Sequence, residues 1–207
     1  MDKVDLKAVI PAYRAPRGRF EIVEVPPLRY LMIDGAGDPN TAAAYAEAVS
    51  ALYSVAYKLK FHSKRALDRD YVVMPLEALW WADDMDAFTA ARDKGRWQWT
   101  LLNLVPDWID ADLVAETQDA VARAKDASPA VVRLRLEELA EGRCVQTLHV
   151  GSYDDEAPVL AAMHGEFIPA AGLQMSGRHH EVYLNDPRRT EPDRLRTILR
   201  QPVGPVM

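Results

Sequence analysis

Two glutamates lie inside short, strand-like apolar runs: Glu77 in Pro75-Leu-Glu-Ala-Leu-Trp-Trp81 and Glu181 in His179-His-Glu-Val-Tyr-Leu184. Burying a carboxylate among apolar groups strips its hydration and is costly. A chain that keeps one in each half therefore points to a ligand they serve, a hydrophobic molecule with a cationic or electrophilic part. Strand alternation puts Glu77, Leu79 and Trp81 on one face, and His179, Glu181 and Tyr183 on another; Trp97 and Trp99 also point together. The expected arrangement is a cleft with a carboxylate on each wall and Trp or Tyr rings around it. Such rings offer stacking area and cation–π attraction, and a carboxylate supplies the countercharge. The same pair suits acid–base chemistry, one Glu holding a water as general base while the other orients or protonates. The competing expectation is structural, each Glu satisfied by a backbone amide or an Arg.

Other candidate groups carry less. Adjacent strand residues face opposite ways, so His179 and His180 cannot chelate one ion, and His62, His149 and His164 lack ligand spacing with any acid. No metal and no cofactor is expected. His149 is retained as a residue that could line the cleft. Gly35-Ala-Gly37 lacks the third Gly and the Lys-Ser/Thr of a phosphate cradle and reads as a tight turn. Ser152 and Ser176 have no nucleophile-elbow context. Cys144 is the sole cysteine, so an intrachain disulfide is impossible.

The 207 residues include 49% hydrophobic and 27% charged, enough for a substantial core. The net charge of -6 argues against a nucleic-acid partner, which needs a clustered basic surface. The charged N-terminus never develops an apolar h-region, and no apolar run approaches the ~20 residues that cross a bilayer. These features predict a soluble cytoplasmic protein.

The elements that must position the glutamates follow from periodicity. Two extended stretches flank Pro26-Pro27 between Phe20 and Ile33, behind an irregular lead-in. The turn Asp34 to Asn40 opens a helix over 41–61, with Tyr45, Val49, Leu52, Ala56 and Leu59 on one stripe. Strands are predicted over 71–81 and 97–105, then a helix over 110–125 with acids in its first turn. A hairpin across Glu141-Gly142 joins 131–139 to 143–150. A turn at Gly151 to Asp155 leads into a helix with Leu160, Met163 and Phe167 on one face. Strands at 179–184 and 197–203 close the chain. The halves share one order: strand, Gly-Asp turn, helix, strand with a central Glu, strand ending near Pro. This predicts one α+β domain over 1–207 made of two pseudo-symmetric lobes, repeat 1 at about 20–108, a connecting helix at about 110–126 and repeat 2 at about 130–204. A ligand groove is expected between the repeats.

The chain resembles the GyrI-like small-molecule-binding family nearly end to end. The resemblance rests on Tyr30-Leu-Met-Ile-Asp-Gly-Ala-Gly-Asp-Pro-Asn40, Leu52 to Lys60, Pro75 to Trp81, Trp97-Gln-Trp99, Glu141 to Tyr153, His179 to Pro187 and Leu195 to Pro202. It implies a duplicated strand–helix–strand–strand fold with a groove between the repeats. It also implies multidrug binding of planar, hydrophobic, often cationic compounds by sequestration or sensing, in the context of drug resistance. One branch hydrolyses cyclopropane-bearing DNA-alkylating compounds without a metal, which leaves open whether this chain is an enzyme. Glu77 and Glu181 match the acidic positions credited with binding and, in that branch, with water activation; Trp81, Trp97, Tyr153 and Tyr183 match pocket aromatics. Ala78 and Ser152 stand where Gly and Pro are commoner. A third reading is a protein-interaction module modulating a topoisomerase. The expected partner is a small molecule, with no nucleic acid and no membrane insertion, and the expected state a monomer or weak homodimer. No helix-turn-helix segment precedes the matched region, which argues against a direct transcription factor.

Overall fold

A computed structural model describes residues 2–82 and 94–206 of the protein. Its strands are β1 (Lys3–Val4), β2 (Glu21–Val25), β3 (Leu28–Ala36), β4 (Asp70–Tyr71), β5 (Glu77–Trp81), β6 (Gln98–Leu104), β7 (Arg135–Leu139), β8 (Gly142–Val150), β9 (Leu173–Met175), β10 (His179–Tyr183) and β11 (Arg196–Pro205). Eight of them form one antiparallel sheet in the order β2-β8-β11-β10-β5-β6-β3-β7, with β9 pairing β11 and β1 pairing β4 apart from it. The fold is α+β, as expected. The two glutamate strands, β5 and β10, are neighbours at the centre of the sheet.

The pairing of the outer strands departs from expectation. No hairpin forms across Glu141-Gly142: β7 pairs with β3, and β8 pairs with β2 and β11. The reason is the turn itself. The Glu141 side chain is only 2% exposed and is ion-paired to the buried Arg200, so the connection is drawn inward and its strands diverge. Likewise β2 and β3 part at Pro26-Pro27, two residues that cannot donate to a closing ladder, and lie in opposite halves of the sheet.

One face of the sheet is covered by helices. The helix α1 (Leu6–Val9) is a single turn, whereas α2 (Ala43–Ala66) runs 24 residues. Its buried positions Ala48, Ala51, Leu52, Val55, Ala56 and Leu59 recur at offsets of three and four, so one stripe meets the inward residues of β3, β5 and β6. The helix α3 (Ala111–Ala122) is capped by Asp110, whose carboxylate accepts from Leu113 N at 2.9 Å, and packs on α2. In the second half, a 3-10 turn (Tyr153–Glu156), the helix α4 (Ala157–Ala162) and a π-turn (Met163–Phe167) run continuously; Met163, Ile168 and Leu173 cover Val145 and Leu199 of β8 and β11. The two helical layers thus sit on the same face, over opposite halves of the sheet, with the β5–β10 pair between them.

The centre of the other face is covered by the N-terminal segment. Leu6, Ile10, Tyr13 and Ala15 pack on Leu79, Leu102, Val182 and Ile198. The lead-in is therefore a structural cover, and its anchors are too sparse to show a period. Among the described residues no helix is long and apolar enough to cross a membrane.

Trp99 is fully buried, and its indole lies against the backbone of Gly35 on the paired strand β3. A Cβ at position 35 would fall inside that ring system. Gly35→Ala is expected to displace Trp99 and cost about 1–3 kcal/mol by overpacking, read as a lower midpoint in denaturant unfolding.

Candidate functional site

The register of the central pair sets the geometry. Glu181 pairs with Ala78, and Val182 with Glu77. Cross-strand partners point to the same face, so Glu181 and Glu77 point to opposite ones. The expected cleft with these two carboxylates on facing walls is corrected by this offset of one residue.

Glu181 is on the helical face. Its Oε2 accepts from the Tyr183 hydroxyl at 2.6 Å, and that hydroxyl in turn accepts from Trp80 Nε1 at 3.0 Å. The His179 Nε2 lies 3.5 Å from Glu181 Oε1. Aromatic rings then build outward from this floor. Trp80 stacks near-parallel on Tyr45 of α2 at 6.2 Å and meets Trp97 edge-on at 5.5 Å. Tyr45 meets Trp99 edge-on at 5.2 Å, and Tyr153 meets Tyr183 edge-on at 5.5 Å. The residues brought together are thus Glu181, Tyr183, Tyr153 and Trp97, joined by Tyr45 and Trp80.

The phenols of this cage are held protonated. Burial, reinforced by Glu181, pushes Tyr183 and Tyr45 up. Burial, then Glu156 and Glu181, pushes Tyr153 up to about 12. The side chains of Tyr45 and Tyr153 are only partly buried. With Glu181 still 9% exposed, the site presents one carboxylate and two phenolic donors inside apolar rings. Groups of these types offer area for stacking on a flat hydrophobic body, a countercharge for a cation, and both an acceptor and a donor of protons.

Glu77 is on the other face and wholly buried. It accepts from the Tyr13 hydroxyl at Oε1 and lies 3.0 Å from His180 Nε2 at Oε2. The other ring nitrogen, His180 Nδ1, is 2.9 Å from Glu141 Oε1. Arg200 completes the chain: NH1 donates to Glu141 Oε2 at 3.0 Å, NH2 to the Ala12 carbonyl at 2.6 Å, and Nε to Gln146 Oε1 at 3.2 Å. Burial alone would lower the His180 pKa, but Glu141 and Glu77, one on each nitrogen, raise it to about 9. Burial opposes ionisation of Glu141 as well, yet His180 and Arg200 hold it down at about 2. Two carboxylates thus face an imidazolium and a guanidinium, and no exposed surface reaches them. The structural alternative for a strand glutamate describes Glu77.

Two further expected site residues stand elsewhere. Trp81 shares the Glu77 face and carries the Arg178 guanidinium 3.6 Å above its ring, beside a cavity of about 570 Å³ near Asp34 and Arg135. His149 is on the helical face, but its Nε2 is 3.0 Å from the Ser152 carbonyl and packs under Gly151, so it shapes the turn that carries Tyr153. Tyr45, Trp80 and the Tyr13–His180–Glu141–Arg200 chain were not singled out from the sequence. Tyr45 was visible as a core position on the α2 stripe, and His180 as half of a rejected metal pair. His179 and His180 do point to opposite faces, and no group of three or more His, Cys, Asp or Glu side chains gathers as a metal site among the described residues.

The His180 shift fixes the sign of a pH dependence. A histidine whose folded pKa is raised to about 9 contributes its full stabilisation below the ordinary value of 6.5 and loses it as pH climbs through 9. Unfolding free energy should therefore fall between about pH 6.5 and 9, and His180→Gln, though less stable throughout, should flatten that limb. Chemical denaturation across this range reads both.

Residues 109–203 match the profile of the GyrI-like small molecule binding domain. Among solved structures, the chain is similar to an uncharacterized conserved protein from Listeria innocua, at 36% identity over 98% of this chain and 100% of that one, with a TM-score of 0.87. Two structures of hydrolases from Listeria innocua are similar at 34% identity, again over 98% and 100% of the chains, with TM-scores of 0.83 and 0.85. No curated protein is detectably similar.

Proposed function

The chain belongs to the GyrI-like small-molecule-binding domain family, and on that premise we propose that it receives a planar, hydrophobic, often cationic compound in the aromatic cage around Glu181. The observation that carries this reading is a partly exposed carboxylate on the floor of a cage built from Tyr45, Trp80, Trp97, Tyr153 and Tyr183. The rings supply stacking area, and Glu181 supplies the charge that separates a cation from a neutral molecule of the same shape.

Hydrolysis of a strained electrophile is the second reading, favoured by the two similar solved structures named as hydrolases. For a cyclopropane conjugated to a carbonyl, Glu181 takes a proton from water as its oxygen bonds to the ring methylene. The strained C–C bond breaks, and its electron pair moves through the conjugated system onto the carbonyl oxygen. A phenol such as Tyr153, protonated at neutral pH, gives that oxygen a proton and is restored by the proton on Glu181. The product is the substrate plus one water, and no metal takes part. Glu77 enters neither reading as a contact; it is a positioning residue that holds β5 and β10 from below.

One experiment separates the readings. Purified protein is incubated with a cyclopropane-bearing alkylator and followed by mass spectrometry, beside titration with a planar cationic dye and its neutral analogue. Glu181→Gln is expected to weaken the cation by roughly tenfold or more while sparing the neutral analogue. If turnover occurs, the same change should remove about 10²–10⁴-fold of it. Equal loss for cation and neutral analogue would overturn the electrostatic role of Glu181. Unchanged turnover in the variant would overturn its role as base.

A further inference from the structure

Two histidines on the Glu181 side of the sheet enter neither reading of the site. His179 precedes Glu181 by two residues on β10, so both side chains leave the same face, and His179 is 3% exposed. Its Nε2 lies 3.5 Å from Glu181 Oε1, while the Tyr183 hydroxyl donates to Oε2 at 2.6 Å. Each oxygen of the carboxylate is thus flanked by a side chain of its own strand. Behind His179 stands His164, edge-on with ring centroids 5.8 Å apart. His164 comes from the π-turn, where Ile168 N bonds back to Met163 O. That wider turn lets Met163 and Ile168, five residues apart, both enter the cluster over β8 and β11. Gln201 joins from β11, on the face that the pairing of Glu181 with Leu199 assigns it. Its Nε2 donates to the carbonyls of Gly177 at 2.9 Å and Pro202 at 3.2 Å, so its oxygen is the acceptor left for the hydrogen bond with the His164 ring. Burial, then His179, lowers His164 to about 4, so that ring is neutral at neutral pH. A neutral ring behind His179 brings no positive charge to compete for Glu181.

We propose that His179 is a positioning residue of the Glu181 cage: backed by His164, it holds Glu181 Oε1 while Tyr183 holds Oε2, and so fixes the plane of the carboxylate that an occupant meets. This rests on the binding reading of Glu181 and adds the group that orients its charge. The terminal torsion of a glutamate is broad, so a single hydrogen bond at Oε2 leaves the carboxylate free to swing. A second group at Oε1 removes that freedom before the occupant arrives, and the contact shortens once the occupant orders the site. The role is specific to charge. A neutral occupant of the same shape draws on the rings alone, so His179 governs the preference for a cation and not binding as a whole.

The test titrates the full chain with a planar cationic dye and its neutral analogue. It compares His179→Leu, His179→Gln, Glu181→Gln and the double variant His179→Leu/Glu181→Gln, with thermal melts confirming that each is folded. His179→Leu is expected to weaken the cation by roughly three- to tenfold and to spare the neutral analogue. His179→Gln, whose amide nitrogen can stand where Nε2 stood, should recover most of that loss. In the Glu181→Gln background His179→Leu should weaken the cation no further, since its effect passes through that carboxylate. Where the leucine variant does not fold, His179→Asn takes its place, because its shorter amide falls back from Glu181. An unchanged cation affinity, an equal loss for both probes, or a loss that persists undiminished beside Glu181→Gln overturns the proposal and leaves the binding reading standing. A Glu181→Gln variant that binds the cation as tightly as the wild-type protein overturns that reading instead.

Discussion

A buried imidazolium held between two carboxylates is the constraint on which the rest of the structure depends. His180 bridges Glu77 and Glu141, and Arg200 closes the chain from Glu141 to the carbonyl of Ala12. These groups come from β5, β10, β11, the β7–β8 connection and the N-terminal cover. Removing one partner from such a cluster leaves a charge buried without compensation, typically at about 3–5 kcal/mol. The cluster therefore admits few alternative registers. A slip of one residue at β5–β10 would carry Glu77 to the other face and leave the Tyr13 hydroxyl and His180 Nε2 without their buried partner.

That register also decides where the chemistry is. On β10, His180 and Glu181 are adjacent and serve opposite faces, the first in the sealed charge cluster and the second in the aromatic cage. The strand that is locked from below is thus the floor of the site above. Under the proposed binding role, Glu181 is preorganised: it is held on a central strand, its carboxylate oriented by Tyr183 and that phenol by Trp80.

The two helical layers define what surrounds that floor. Tyr45 descends from α2 and Tyr153 from the turn before α4, so the walls come from different halves of the chain. Their hydroxyls remain protonated because burial and neighbouring carboxylates both oppose ionisation. The phenols are consequently donors at neutral pH, the role the proposed readings give them.

Local pattern determined much of this. The three-four stripe of α2, the acid-led start of α3, and the alternation along β5, β6, β10 and β11 follow from residue periodicity, which depends only on neighbours in the chain. So does the fact that Glu181 and Tyr183 share a face and that His179 and His180 do not. Tertiary structure alone decided that β7 leaves its expected partner for β3, that a lead-in without periodicity covers the centre of one face, and that Glu77 and Glu181 are separated by the thickness of the sheet. Each of these turns on contacts between residues far apart in sequence: Glu141 with Arg200, Tyr13 with Glu77, and the one-residue offset that sets Glu181 beside Ala78. Alternation fixes which side chains of a strand agree with one another, but the face they share with a neighbouring strand is set by register, and register here is chosen by buried charge.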